Sequence, residues 1–294
     1  MRLCVIFNPA AQGEKARRFR RHLDDIAGQC VLKLTSAPGD ARRLAAEAVR
    51  EGHEGIVAAG GDGTLNEVLN GLGDVPGGFE RACLGVLPLG TVNVFARELG
   101  IPARLDLAWK PICQGRERRI DLPCVRFGAN REPRYFAQLA GAGLDARAVE
   151  LVEWSHKKKI GPLAYVLAGL RALRGTPSEI HVGWAGNSLT GQLVLIGNGR
   201  FYGGPYRVFP EADMRDGRLE VCVFPRIGWL TVARCGLRLL LRGTLPPGVA
   251  SAFRAESLEL TSTSPTPIEA DGELLGRLPA SFSVQRSRLR VLVP

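Results

Sequence analysis

The chain has 294 residues, 45% of them hydrophobic, which is enough for two cored domains and excludes a disordered class. Lys and Arg number 39 against 29 Asp and Glu, a net charge of +10 that suits nucleotide phosphates, nucleic acid or an acidic membrane surface as partners. Aromatic residues at 6% speak against nucleic-acid modules that stack bases, and the seven scattered cysteines and four histidines form neither a disulfide frame nor a zinc site.

In chain order, Leu3–Phe7 is an apolar strand that ends at Asn8-Pro9. A basic helical stretch, Glu14–Ala27, leads to a strand at Val31–Leu34. Asp40 is placed to cap a helix whose Leu44, Ala45, Ala48 and Val49 share one face. The strand Gly55–Ala59 runs into a glycine cluster and a helix through Leu65, Val68, Leu69 and Leu72. The strand Leu84–Leu87 leads through Pro-Leu-Gly to a helix, Asn93–Leu99. Alternating strands and helices predict an α/β domain with a parallel sheet over residues 1–120.

From Asp121 the grammar changes. Strands are predicted at Arg134–Ala140, Ile180–Trp184, Gln192–Gly197, Leu219–Phe224, Ser257–Leu260 and Phe282–Val284, mostly joined by turns. Helices are predicted only near Pro162–Leu173 and Trp229–Leu241, and the end of the chain alternates Arg286, Arg288 and Arg290 with Leu289, Val291 and Val293. Residues 121–294 are therefore expected to form a β-rich, antiparallel sandwich domain. Gly141-Ala-Gly143-Leu-Asp-Ala146 fits a dinucleotide fingerprint, but the acid required downstream is absent, so it is expected to be a packing element.

Two loops carry chemistry. Gly60-Gly61-Asp62-Gly63-Thr64-Leu65-Asn66-Glu67 lies between a strand and a helix, where glycines let the backbone approach an anion and the helix start offers amides. Asp62 adds a carboxylate for Mg²⁺ or water, and Thr64 a hydroxyl for phosphate. Pro88-Leu89-Gly90-Thr91-Val92-Asn93 has the same placement, and Thr91 and Asn93 are candidates for nucleotide contact; taken alone, Asn93 is better read as an ordinary helix cap. No G-x-x-x-x-G-K-[ST] occurs, which argues against a P-loop kinase.

G-G-D-G-T-L-N-E-V-L-N-G followed by P-L-G-T-x-N-x-F-A-R resembles the catalytic domain shared by diacylglycerol kinases, sphingosine kinases and bacterial lipid kinases. The resemblance extends to Asn8–Gly13, Tyr135–Ala146, Gly197–Gly204, Pro210–Leu219 and the closing Asp271-Gly272-Glu273. It implies ATP binding by Asn8, Pro9, Thr35, Gly60, Gly61, Asp62, Gly63, Thr64, Asn66 and Thr91. Glu273 matches the base that takes the lipid hydroxyl proton, and Asp62 and Asp121 match acids that organise catalytic Mg²⁺. A structural Mg²⁺ would use the Asp216 carboxylate and the carbonyls of Asp213 and Arg218. Locally, Asp271-Gly272-Glu273 also suits a plain hairpin turn. Val94, Gln138 and Pro205 depart from the family's common Asp, Asn and Gly.

The resemblance thus implies a cytoplasmic, peripherally membrane-associated, ATP- and Mg²⁺-dependent lipid kinase of phospholipid metabolism, with catalysis in a cleft between the domains. Its partners would be a lipid substrate and an anionic membrane surface, without nucleic acid, and a homodimer is compatible with it. Lys157-Lys158-Lys159 and the apolar stripe Leu163–Leu173 suit either membrane docking or a core-facing helix. The rivals are an NAD kinase, which shares G-G-D-G-T, and a family member that binds without turnover.

Overall fold

The computed structural model describes residues 1–9, 19, 28–128, 131–144, 146–147 and 178–294. Of the expected helix Glu14–Ala27 only Phe19 is described, and the expected helix Pro162–Leu173, with the lysine run, lies outside the described residues. The chain forms two compact units, Met1–Leu122 with Gln285–Pro294, and Pro123–Val284. The sequence placed the boundary near residue 120; the structure changes unit at Leu122/Pro123 and returns the end of the chain to the first unit.

The first unit contains β1 (Leu3–Phe7), β2 (Val31–Leu34), α1 (Asp40–Arg50), β3 (Gly55–Gly60), α2 (Asp62–Gly73), α3 (Gly78–Arg81), β4 (Cys83–Pro88), α4 (Val94–Glu98) and α5 (Leu105–Gln114). The strands pair in parallel in the order β2-β1-β3-β4. All residues of β1, β3 and β4 are buried, as expected of a parallel sheet whose strands read as unbroken apolar runs.

Helix α1 buries the expected Leu44, Ala45, Ala48 and Val49, but Asp40 does not cap it. Its carboxylate instead accepts the amides of Ser36 and Ala37 at 2.8 and 3.0 Å and so closes the preceding turn. The first amides of α1 go to Glu67 of α2, whose two carboxylate oxygens accept Gly39 and Ala41 N–H, each at 2.9 Å. A bidentate Arg42–Asp74 pair, both bonds 2.6 Å, also joins the two helices. Gly71 permits their close approach, since a Cβ there would strike the Arg42 carbonyl oxygen and lie 2.7 Å from the Ala45 Cβ.

Strand β5 (Glu117–Arg126) leaves the first unit and continues into the second. There follow β6 (Arg134–Tyr135), β7 (Leu139–Gly143), β8 (Ile180–Trp184), β9 (Asn187–Gly191), β10 (Leu193–Gly197), β11 (Phe201–Tyr202), β12 (Tyr206–Arg207), β13 (Leu219–Phe224) and α6 (Trp229–Arg242). The chain ends with β14 (Ser251–Ala255), β15 (Ser257–Ser262), β16 (Pro267–Ala270), β17 (Glu273–Arg277) and β18 (Ala280–Leu292). One antiparallel sheet runs β14-β13-β10-β7-β16-β17, and β8 lies between β9 and β15, which pairs with the start of β18.

Ala140, Val194, Val221 and Ile268 of the first of these sheets share one core with Ile180, Val182, Leu258, Leu260 and Phe282. This is the antiparallel sandwich that the turn-linked strands predict, and Gly141–Gly143 lies in β7 within it, as a packing element. The other face of β10 and β13 supplies Leu193, Leu195, Cys222 and Phe224 to a smaller cluster, against which Cys235 and Leu239 of α6 pack.

Gly71→Ala should lower the stability of the protein by about 1–3 kcal/mol, because a methyl must be forced between α1 and α2. Urea unfolding measures this, and an unchanged midpoint would show that the helices separate without cost.

Candidate active site

The carboxyl ends of β1–β4 bring most of the predicted nucleotide residues together in the first unit. Asn8 follows β1, Thr35 follows β2, the Gly60–Thr64 loop follows β3, and Pro88–Asn93 follows β4. Thr35 is buried, and its amide donates to the Phe7 carbonyl at 3.0 Å. The Asn8 amide donates to the Ala59 carbonyl at 3.1 Å, while its side chain donates to the Thr64 hydroxyl at 3.3 Å. Pro9, next in the chain, is half-buried.

The two glycine loops touch. Gly60 O accepts the amides of Leu89 and Gly90 at 2.9 and 3.2 Å. A Cβ on Gly90 would lie 2.5 Å from the Gly61 Cα and 2.8 Å from the Asn93 Oδ1, so the contact requires glycine there. Asn93 adopts φ 53 and closes its own loop: its Oδ1 accepts Gly90 N–H at 3.0 Å, and its Nδ2 donates to the Gly90 carbonyl at 2.7 Å. It makes no side-chain cap bond to α4, so this loop closure takes the place of the expected cap. Thr91, at the tip, is exposed.

Asp62 opens α2 and reaches across to the second loop, where the Phe95 amide donates to its Oδ1 at 3.4 Å. Burial raises its pKa above the usual carboxylate value, against the lowering effect of backbone N–H bonds from Val94, Phe95 and Asn93. Val94 thus meets Asp62 through its backbone amide. Gly61, the N-cap of α2, makes no side-chain cap bond, and a helix start of this kind offers first-turn amides to an anion. Asn66 is buried one turn on, and its carbonyl and Oδ1 accept the Asn70 side chain at 2.9 and 3.0 Å. Asp121, also buried, accepts the Ser287 amide at 2.7 Å where β18 takes a left-handed φ of 49.

In the second unit, Asp271-Gly272 is a two-residue hairpin between β16 and β17, with φ 49 and 84 and with Ala270 opposite Glu273. The hairpin reading holds for these two residues, but Asp271 is more than a turn former. Its carboxylate accepts the amides of Ala137, Gln138 and Leu139 at 2.7, 3.0 and 3.2 Å. These bonds break the predicted strand Arg134–Ala140 into β6 and β7. Buried Glu269, not singled out from the sequence, accepts the Gly272 amide at 2.9 Å and fixes the turn from the other side. Buried Asn198 was also missed; its side chain donates to the Ala137 carbonyl at 3.0 Å, and the Gln138 side chain donates to the Phe201 carbonyl at 3.1 Å. An acid inside the apolar run Pro267–Ala270 was the available signal for Glu269. Glu273, half-buried, is the first residue of β17.

The proposed structural-metal turn is separate from this cluster in sequence. Asp216 N–H donates to the Asp213 carbonyl at 3.3 Å, and the Asp216 carboxylate accepts the Arg218 amide at 2.9 Å. The Asp213 carboxylate is committed to Arg215 at 3.1 and 3.2 Å, and that bond holds its pKa below the usual value.

A model of the diacylglycerol kinase catalytic domain matches residues 2–125, and a model of the YegS C-terminal NAD kinase beta sandwich-like domain matches residues 138–293. A Staphylococcus carnosus (strain TM300) protein named diacylglycerol kinase is 30% identical over 99% of this chain and 94% of its own length. The chain belongs to the diacylglycerol kinase family. A diacylglycerol kinase of Staphylococcus aureus (strain MRSA252) is likewise 30% identical over 99% of this family member and 91% of its own length. A crystal structure of a diacylglycerol kinase from Bacillus anthracis str. Sterne shares the fold at TM-score 0.77 and 22% identity, covering 100% of this chain and 97% of that one.

Asp271→Ala should cost about 3 kcal/mol or more, since it strands backbone amides that donate to a charged acceptor. Asp271→Asn, which keeps an acceptor and tolerates positive φ, should cost markedly less; equal losses in chemical unfolding would remove the clasp role.

Asp62 gives a pH signature. Its raised folded pKa means that the folded state binds more protons, so its contribution to stability falls as pH rises from the ordinary Asp value, about 3.9, through the folded pKa. In metal-free buffer the stability of Asp62→Asn relative to wild type should therefore rise with pH across that window and then level off. A difference independent of pH would refute the shift.

Proposed function

We propose that this diacylglycerol kinase family member is an ATP- and Mg²⁺-dependent kinase that phosphorylates the hydroxyl of diacylglycerol or a related lipid alcohol. The observation that carries this reading is the pair of glycine loops joined at neighbouring strand ends, with the Asp62 carboxylate between them beside the uncapped start of α2. Such a corner suits a polyphosphate, and the names of the relatives supply the lipid acceptor.

In this reading the α2 amides, Gly60–Gly63 and the Thr64 hydroxyl hold the phosphates. Asn8, Pro9, Thr35 and Thr91 contact the rest of the nucleotide. Asn66 and Asn93 act by shaping the loops. Glu273 takes the proton of the lipid hydroxyl as its oxygen bonds to the γ-phosphorus and the bond to the ADP oxygen breaks. Mg²⁺ would offset charge on the phosphates during transfer. Asp62 and Asp121 fit its donor set as hard oxygens, and a cation would favour the charged form of Asp62 that burial opposes. In the second unit the Asp216 carboxylate with the Asp213 and Arg218 carbonyls would hold a structural ion, again a hard-oxygen set. No helix among the described residues is long and apolar enough to cross a membrane, so this reading brings the enzyme to its lipid at the bilayer surface.

The test offers purified protein ATP, Mg²⁺ and mixed micelles of lipid alcohols, with NAD as a competing acceptor, and identifies products by mass. A phosphorylated lipid is expected; label on NAD alone, or on nothing, would overturn the reading. Glu273→Gln should lower kcat by about 10²–10⁴-fold with ATP affinity retained, and wild-type turnover would remove Glu273 from the mechanism.

A further inference from the structure

The helix α6 (Trp229–Arg242) packs on the sandwich by one narrow face, through Cys235 and Leu239. Its opposite face is apolar and open to solvent: Leu230 is 83% exposed, Leu237 61%, Leu240 73% and Leu241 71%. Trp229, 53% exposed, borders this ridge at the start of the helix. A surface helix normally turns charges outward and hides its leucines; this one presents leucines on the side away from its own core.

The charges of the helix decide what covers it. Arg234, Arg238 and Arg242 follow one flank of the ridge, Arg226 lies just before the helix and is exposed, and the helix contains no acidic residue. Arg238 donates to the Leu245 carbonyl at 3.3 Å, which fixes that side chain along the flank. An antiparallel pairing of this face with the same face of a second copy would bring arginine flank beside arginine flank, with no acid on either helix to answer them. Anionic head groups answer the arginines, and the acyl boundary takes the leucines. Arginine and leucine stems reach these two layers from one helix lying in the interface plane, with tryptophan at head-group depth.

We propose that the outward face of α6 is a docking surface for an anionic bilayer, with Leu230, Leu237, Leu240 and Leu241 entering the acyl boundary and Arg234, Arg238 and Arg242 on the head groups. This deepens the reading of a lipid acceptor and adds the partner surface to it. Because binding needs neither ATP nor turnover, the two readings can fail separately.

The experiment floats the full chain with vesicles of phosphatidylcholine, alone or in equimolar mixture with phosphatidylglycerol. The wild type should bind the anionic vesicles, and added salt should weaken that binding. The triple variant L230E/L237E/L241E should lose at least about tenfold in partitioning. R234Q/R242Q, a milder change that keeps the test valid if the glutamates disturb folding, should lose roughly fivefold per arginine. Phosphorylation of a short-chain, micelle-free lipid alcohol should be unchanged in both variants. Wild-type binding that is absent, or equal on both vesicle types, overturns the proposal, as does equal binding by wild type and both variants. A dimer broken by the glutamates with vesicle binding intact also overturns it, and assigns the face to a second copy.

Discussion

One carbonyl oxygen joins the two glycine loops. Gly60 ends β3 opposite Pro88 of β4, and its oxygen accepts both Leu89 and Gly90 amides, so the loops leave the sheet side by side. The contact is available only because Gly61 and Gly90 meet backbone to backbone, where a side chain on Gly90 would need space that Gly61 and Asn93 already occupy. Without it, Asp62 would lose the amides of the second loop, and the motifs would be two ordinary strand–helix turns. The parallel register of β3 and β4 is thus the condition for a site and not merely its scaffold.

The corner is electrostatically unfinished in a useful direction. Bringing a carboxylate out of water is costly, and donated amides offset part of the cost. For Asp62 the offset is incomplete, since burial still outweighs the amides in setting its pKa. Either a proton or a cation would complete it. In the proposed reading, beside a helix start suited to phosphate, the cation is that partner.

Much of this was legible in the sequence because it is local. Apolar runs gave β1 and β13 to the residue, and the spacing of Leu44, Ala45, Ala48 and Val49 gave the buried face of α1. What was not legible depends on bonds between residues far apart in the chain. Asp40 reads as a cap until Glu67 takes the amides in question. Arg134–Ala140 reads as one strand until Asp271 collects its amides. Helix α5 was missed because Pro111 lies within it, and β5 because it opens on Glu-Arg-Arg. The boundary near residue 120 was readable as a change of grammar, whereas the return of Gln285–Pro294 to the first unit follows from β18 pairing in parallel with β4, which no local pattern encodes.

The acids of the motifs divide by what they hold. Glu67 holds the start of α1, Asp271 holds the segment Ala137–Leu139, and Glu269 holds the turn at Gly272. These carboxylates serve as acceptors for backbone donors. Glu273 is the next residue along the chain. It follows a turn clamped on one side by Glu269 and on the other by Asp271, in a left-handed conformation that Asp and Gly tolerate. A buried Glu269 and a half-buried Asp271 committed to fixing one hairpin suit the proton acceptor proposed at Glu273, a group whose position must be held closely. On this view the conformation of Asp-Gly serves the carboxylate of Glu, and the motif is one device.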